Sequence, residues 1–474
     1  MPDSALQPWS PAERESFFAA IARHRRAAVR VDILARCCAL VLALVVAILM
    51  SPLFYGVLGL ALDLTNLVVP MPDLLRQVTD AVTAIIDNPE QLTLGRGLYL
   101  AGIAALPGLG LMGLVIRTLG RVMRESMSAE AGGFAGRAPD RSVLAEQQFA
   151  NVIEEMATAA ELPPPRVLIT DSETVNATVC GEDESSALIL ATTGLLATVG
   201  RSELQGVAGH LVGSIANGDL SIGNRIATLL GLFGLTAKLS GSFADRESAR
   251  RFAALLRASF RRGGSAADGE LALALTHPFG AERATTADVS TQSGKIPWRT
   301  IAWMPLVGPL VISGFFGGML SGFVLGPLLA VVWRRRKYLA DATAVRLTRD
   351  PNALASALDK MRGLPAAGAF SAWLAHLSVM PDTRLKSASL FGGSAVQMSP
   401  ALDRRLKALG VMGATVEPRD ARRMPLWAWG VLAPLGLLVV GLMGTALVLL
   451  VYVSVALSGM FTWLPVLLVH TLLR

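Results

Sequence analysis

Stretches of apolar sequence too long for an ordinary buried helix constrain this chain more than anything else in it. Ile33 to Leu62 holds only Arg36 near its start, and Leu98 to Ile116 is interrupted by Pro107 and closed by Arg117 and Arg121. Ile301 to Trp333 is rich in Gly and Pro, and Leu426 to Leu473 is long enough for two crossings, with a break around Ser458 and Gly459. About 20 apolar residues in a helix cross a bilayer, and a mean hydropathy of +0.50 lies on the membrane side of ordinary usage. The run from Ile33 exceeds signal-peptide length and lacks a small-residue cleavage site, so it is expected to stay as an anchor. With Leu98 to Ile116 it makes a hairpin whose acidic connector, Asp63 to Arg96, faces the non-cytoplasmic side. Either the short apolar run Ile226 to Leu239 does not span and the Gly-rich run is re-entrant, or both span and the arginines between them face outward. Five membrane segments are expected, or six.

The net charge is +7, but its cations crowd the ends of apolar runs: Arg23, Arg25, Arg26 and Arg30, then Arg334 to Lys337, then Arg422 and Arg423. Positive-inside topology accounts for them and places the N-terminus and the following domain in the cytoplasm of a bacterial-type inner membrane. No basic stripe interleaves with exposed aromatics, so nucleic acid is not expected as a partner. Ser10, Pro11 and Glu13 form a helix-start signature, and the helix carrying Phe17, Phe18 and Ile21 either lies on the membrane face or is simply solvated. Cys37, Cys38 and Cys180 have neither metal-knuckle nor disulfide spacing.

From Leu144 the pattern turns globular. Phe149, Ile153 and Met156 fall at helical spacing, and Pro163 to Pro165 end that helix before an apolar strand at Val167 to Ile169. Leu188 to Leu190 predicts a second strand, followed by a short helix at Thr193 to Thr198 and a longer one capped by Ser202 with Gln205. This is an α+β order.

The long helix, RSELQGVAGHLVGSIANGD over Arg201 to Asp219, resembles the catalytic helix of the HtpX-like and CAAX-prenyl-protease metallopeptidases, where H-E-x-x-H stands in this frame. Upstream, ELPPPRVLITDSETVNATVCG is similar to the family's strand lead and its Asn-Ala turn at Asn176 and Ala177, and ALILATTGLL resembles its edge strand. Downstream, RRRKYLADATAVRLTRDPNALASAL resembles the third-ligand helix. QMSPALDRRLKALG resembles a late segment whose histidine is here Ser399, with Asp403 and Arg405 kept. The resemblance implies an α-helical integral membrane protein with an α+β zincin-like, gluzincin-type cytoplasmic domain. The expected organisation is an amphipathic segment over 1–32, a transmembrane hairpin over 33–118 and the first part of the peptidase-like domain with a polar insert over 140–300. A membrane segment over 301–333, the second part of the domain over 334–410 and a C-terminal hairpin over 426–473 complete it.

In that family two histidines at i and i+4 and a downstream Glu bind zinc, and the motif Glu activates the bound water. Here His210 keeps the first ligand position, Leu211 stands at the general base, Ser214 replaces the second His and Lys337 the Glu. Leucine accepts no proton, and an ammonium repels the metal. Asp341 matches a carboxylate that supports the ligands, and its spacing from Lys337 predicts a salt bridge in place of a metal contact. A zinc site rebuilt from His210, His277 and His376, or a Ser214–Lys337 dyad without a G-x-S-x-G elbow, carries little support. The resulting expectation is a proteolytically inactive relative with no catalytic residue and no cofactor. It would bind extended segments of other membrane proteins in a groove beside an edge strand, with Asn176, Ala187, Leu188, Ile189, Leu190 and Thr192 as candidates. The alternative is an active membrane zinc endopeptidase with unorthodox ligands. A channel or carrier is disfavoured because few ionisable residues sit inside the apolar runs.

Overall fold

The computed structural model describes residues 15–70, 136–223, 326–366, 376–381 and 399–416, with isolated positions elsewhere. The first helix, α1 (Phe17–Asn66), runs unbroken for 50 residues, roughly 75 Å at 1.5 Å per residue. Its cap is Ser16, whose hydroxyl accepts from Ala19 N at 3.2 Å; the Ser10 signature lies outside the described residues. Ala20, His24 and Ala28 recur every fourth residue and are buried, so they form the stripe by which α1 docks. Among the described residues no helix is long and apolar enough to cross a membrane. Of the expected membrane segments, Ile33 to Leu62 falls within α1, and the rest lie largely or wholly outside the described residues.

The globular part follows in chain order as α2 (Leu144–Ala159), β1 (Arg166–Thr170), β2 (Ala177–Cys180), β3 (Leu188–Thr192), α3 (Thr193–Thr198) and α4 (Arg201–Ala216). After the insert come α5 (Gly326–Thr348), α6 (Pro351–Lys360) and α7 (Leu402–Val411). The sheet order is β1-β3-β2, with β3 parallel to β1 and antiparallel to β2. This corrects the edge-strand reading: Leu188 to Thr192 are central and wholly buried, hydrogen-bonded on both sides. An unbroken apolar run fits a strand with both faces covered, and pairing with β1 on one side and β2 on the other makes it central.

The α4 helix is the hub, packed against α2, α5, α6 and β2. The sequence placed its cap at Ser202 with Gln205; the observed cap is Gly200, whose amide donates to Glu203 Oε2 at 2.7 Å. Glu203 is the better third residue because its carboxylate also accepts from Ser356 Oγ and Lys360 Nζ, at 2.6 and 2.8 Å, which fastens α6 to the start of α4. Gly206 lets that contact close: a Cβ there would collide with the backbone of Ala353 and Leu354. Gly213 does the same more gently against α5, where a Cβ would stand 3.0 Å from Thr343 Cβ. Gly206→Ala gains about 1 kcal/mol of helix propensity but must push α6 aside at a cost of about 1–3 kcal/mol or more. A lowered thermal midpoint of the full-length protein is expected; a raised one refutes the close approach.

Candidate site

The residues at the family's site positions converge where α4, α5 and α7 meet. His210 and Ser214 lie one turn apart on α4, Lys337 and Asp341 one turn apart on α5, and all four are buried. His210 Nδ1 stands 2.8 Å from Asp341 Oδ1, at an angle poorer than a full hydrogen bond, and Nε2 meets no partner among the described residues. The expected Lys337–Asp341 bridge is replaced by another. Asp341 accepts two parallel bonds from Arg405, Nε to Oδ2 at 2.9 Å and Nη2 to Oδ1 at 2.7 Å. A guanidinium fork matches a carboxylate in a way an ammonium cannot.

Lys337 instead donates to the carbonyl of Ser378, and Arg405 Nη1 donates to that of Val379 at 2.6 Å. The segment carrying those carbonyls lies on the outer edge of β2, where Val379 N donates to Ala177 O at 2.8 Å. Asn176 brackets it: its amide oxygen accepts from Met380 N at 3.1 Å and Ala177 N at 2.9 Å, and its amide nitrogen donates to Ala366 O at 2.9 Å. Asn176 is thus a buried tie between strand and segment. Of the other groove candidates, Ala187 to Leu190 are core, and Thr192 caps α3 through Leu195 N.

Leu211 is fully buried in the hydrophobic core, not open to a cleft. A second buried pair closes the far end, where Arg336 bonds Asp219 and donates to Asn217 O at 2.6 Å. Burial raises the Asp219 carboxyl in spite of Arg336 and the Ser214 hydroxyl. Lys337 donates to Ser378 O, and among the described residues no hydrogen bond joins it to Ser214 in support of the dyad. His376 packs on Trp333, with ring centres 4.4 Å apart, and His277 lies outside the described residues.

Burial also tilts the other titrations. It raises the Asp341 carboxyl, but Arg405 and His210 outweigh it and hold the group well below the usual carboxylate range. Burial, reinforced by Arg405, pushes the Lys337 ammonium down from 10.5 to about 7. Between those values the unfolded chain holds a proton that the folded chain has released, so stability rises with pH across that window. Lys337→Met is expected to flatten that rise. Thermal midpoints of the two proteins measured from pH 7 to 10 check it, and an unchanged slope would refute it.

Arg405 is the site residue whose partner the sequence reading missed. Its signal was present, since Leu402, Arg405, Leu406 and Leu409 fall on one helical face and an arginine in an apolar stripe needs a buried acceptor.

Residues 144–412, more than half of the chain, match the family model for Peptidase family M48. The chain belongs to peptidase family M48. It is 30 % identical over 211 residues to a protease HtpX homolog of Caldanaerobacter subterraneus subsp. tengcongensis, covering 44 % of this chain and 55 % of that one. A protease HtpX homolog of Streptococcus uberis is 28 % identical over 228 residues, 47 % of this chain and 60 % of that one. One from Streptococcus pneumoniae is 31 % identical over 216 residues, 44 % and 56 % of the two chains. The match therefore spans a little over half the length of these relatives, and no solved structure matches. HtpX-like membership stands as the sequence indicated.

Membership corrects one expectation. The M48 match and the HtpX protease relatives point to zinc as the family's cofactor, so an expectation of none is not supported. The residues present at the ligand positions nevertheless fit the ion poorly. A serine hydroxyl is a weak zinc ligand, the Lys337 amine is not among the usual zinc donors and is engaged with Ser378 O, and Nδ1 of His210 faces Asp341, which leaves one imidazole nitrogen where structural sites use four ligands and catalytic sites three. Among the described residues no three of His, Cys, Asp or Glu converge as a metal-ligand group. No step of a mechanism is routed through zinc here.

Proposed function

We propose that this chain is a membrane-embedded M48 relative that binds or regulates other membrane proteins without cleaving them, its domain on the cytoplasmic side of a bacterial-type inner membrane. The observation that carries the reading is Leu211, an apolar side chain fully buried where water must be deprotonated. The membrane part rests on the four long apolar runs and on the length of α1. Partners would be extended segments of membrane proteins. Because β3 is internal, such a segment would pair with β2 in place of Leu377 to Met380, adding backbone hydrogen bonds as β-augmentation does.

Two features favour a second reading, an active zinc endopeptidase with unorthodox ligands: Nε2 of His210, which has no partner among the described residues, and the protease relatives. One experiment separates the two. Full-length protein purified in detergent is incubated with an unfolded membrane protein, with and without added zinc, alongside His210→Ala. Intact substrate in every reaction is expected. Stoichiometric zinc in the purified protein, lost together with proteolysis in His210→Ala, would establish the second reading instead.

A further inference from the structure

Three helices bring a group of arginines together on the surface beside the first turns of α5. Arg334 and Arg335 come from α5, Arg404 from α7 and Arg23 from α1. They surround one aromatic pair, in which the His24 ring stacks on Tyr338 with centres 5.4 Å apart and planes 21° apart. Burial, then Arg23 and Arg335, push His24 down to about 4, so the imidazole is neutral at neutral pH and adds no further positive charge. Arg335 and Arg404 are exposed, and Arg334 is half-buried with its Nε held by Ala330 O at 3.1 Å.

What marks this group is the lack of a carboxylate committed to it: Asp341, whose charge reaches His24 and Tyr338, is itself held by Arg405. Arg23 has Glu15 at 2.7 Å, and the neighbouring Asp403 is taken by Arg362 at 2.7 Å. Among the described residues Arg334, Arg335 and Arg404 have no carboxylate partner; Arg334 lies close enough to feel both others, and all three lie near Tyr338. The buried or tightly held arginines of this domain are paired, Arg137 with Glu146, Arg336 with Asp219 and Arg405 with Asp341. Three like charges gathered by two helices, with Arg23 of a third beside them, repel one another unless an anion joins them. Planar guanidinium forks bind the tetrahedral oxygens of a phosphate in pairs.

The position selects the source of that phosphate. Arg334 directly follows the apolar run that ends at Trp333, and Arg23 stands nearly three helical turns before the run that begins at Ile33. Between them α1 exposes apolar Val29, Ile33 and Leu34. A phosphate at headgroup depth would meet the arginines while its acyl chains met that surface. We propose that the junction of α1, α5 and α7 is a binding site for the phosphate of an anionic phospholipid, with Arg334, Arg335 and Arg404 as its cations. The site rests on the membrane reading given above.

The test uses the full-length protein in nanodiscs of phosphatidylcholine alone or mixed with phosphatidylglycerol, with retained lipid read by native mass spectrometry and thermal midpoints recorded in parallel. The unaltered protein is expected to retain phosphatidylglycerol in preference to phosphatidylcholine. A basic residue near an anionic surface contributes roughly a fivefold change in affinity. Arg335→Gln should therefore weaken the preference about fivefold, and Arg335→Gln with Arg404→Gln about 25-fold, with midpoints in pure phosphatidylcholine unchanged. The paired change Arg25→Gln and Arg26→Gln, elsewhere on α1, should leave most of the preference in place. Any of three results overturns the site: no lipid preference, a preference unaltered by the Arg335 and Arg404 changes, or equal stabilisation by free inorganic phosphate. If the protein washes from membranes in alkaline carbonate, the membrane reading itself falls and takes the site with it, an outcome distinct from the other three.

Discussion

Arg405→Met is expected to destabilise the domain by about 3–5 kcal/mol, because it removes one partner of a buried ion pair and strands the other. Asp341 and Arg405 are each 1 % exposed, and their two parallel bonds are the only full hydrogen bonds between charged side chains that reach the Asp341 carboxylate among the described residues. His210 approaches it without good geometry, and Lys337 is engaged with Ser378 O. Methionine nearly fills the arginine's volume, so the change reports on charge more than on a cavity. It also leaves the Val379 carbonyl without its donor, which should loosen the segment along β2. Pairing it with Asp341→Leu is expected to recover much of the loss, since a buried pair exchanged for apolar residues of similar size is often neutral or better. Chemical unfolding of the single and double variants in detergent measures the coupling, expected to exceed about 1.5 kcal/mol. A cost below about 1 kcal/mol for Arg405→Met would refute the assignment of this pair as the keystone of the site.

The acid side of the stability profile should report the same pair. Because Asp341 is held below its unfolded value, its contribution is present above about pH 4 and is lost as pH falls through the folded value. His210, pushed down to about 4 mainly by burial, acts in the same sense, since it must bind a proton on unfolding between that value and 6.5. Both effects make the site an acid-labile point of the domain.

How far the sequence could be read depended on whether a residue's partner lay near it in the chain. The helix from Leu144, the strand at Val167 to Ile169 and the helix Thr193 to Thr198 follow local periodicity and turn residues, and they stand where that pattern put them. The cap of α4 was displaced because Glu203 is selected by Ser356 and Lys360, more than 150 positions away, as well as by local capping rules. The order of the sheet was misread for a similar reason: apolar Leu188 to Leu190 fit a covered strand in either place, and only pairing with Ala177 to Cys180 makes it central. At the site, a known spacing let the sequence assign an expected role to each of His210, Leu211, Ser214 and Lys337, and all four are buried. Their present partners were not legible, since Arg405 and the carbonyls of Ser378 and Val379 arrive from segments whose placement no spacing encodes.

Reinstating the family's donors should reveal how completely packing has consolidated their loss. Leu211→Glu alone is expected to cost more than about 4 kcal/mol, because it buries a carboxylate in a fully enclosed apolar position with no partner. Adding Ser214→His puts a second imidazole one turn from His210 on the same face of α4, and Lys337→Glu removes the ammonium that a cation would meet. Without metal, the triple variant should be less stable still, since its new carboxylates join Asp341 and Asp219 in a space left with two arginines. With zinc the balance reverses: at a free concentration about a thousandfold above Kd, binding to the folded state alone contributes about 4 kcal/mol. Thermal midpoints across a zinc titration, referred to those of the unaltered chain, measure this directly. A zinc-dependent rise larger than that of the unaltered chain means that the scaffold still holds the ligand geometry and that only donors were lost. If the triple variant gives no such rise while remaining folded, the segment Leu377 to Met380 and the packed Leu211 position have closed the site against the ion, and loss of donors is only part of the change.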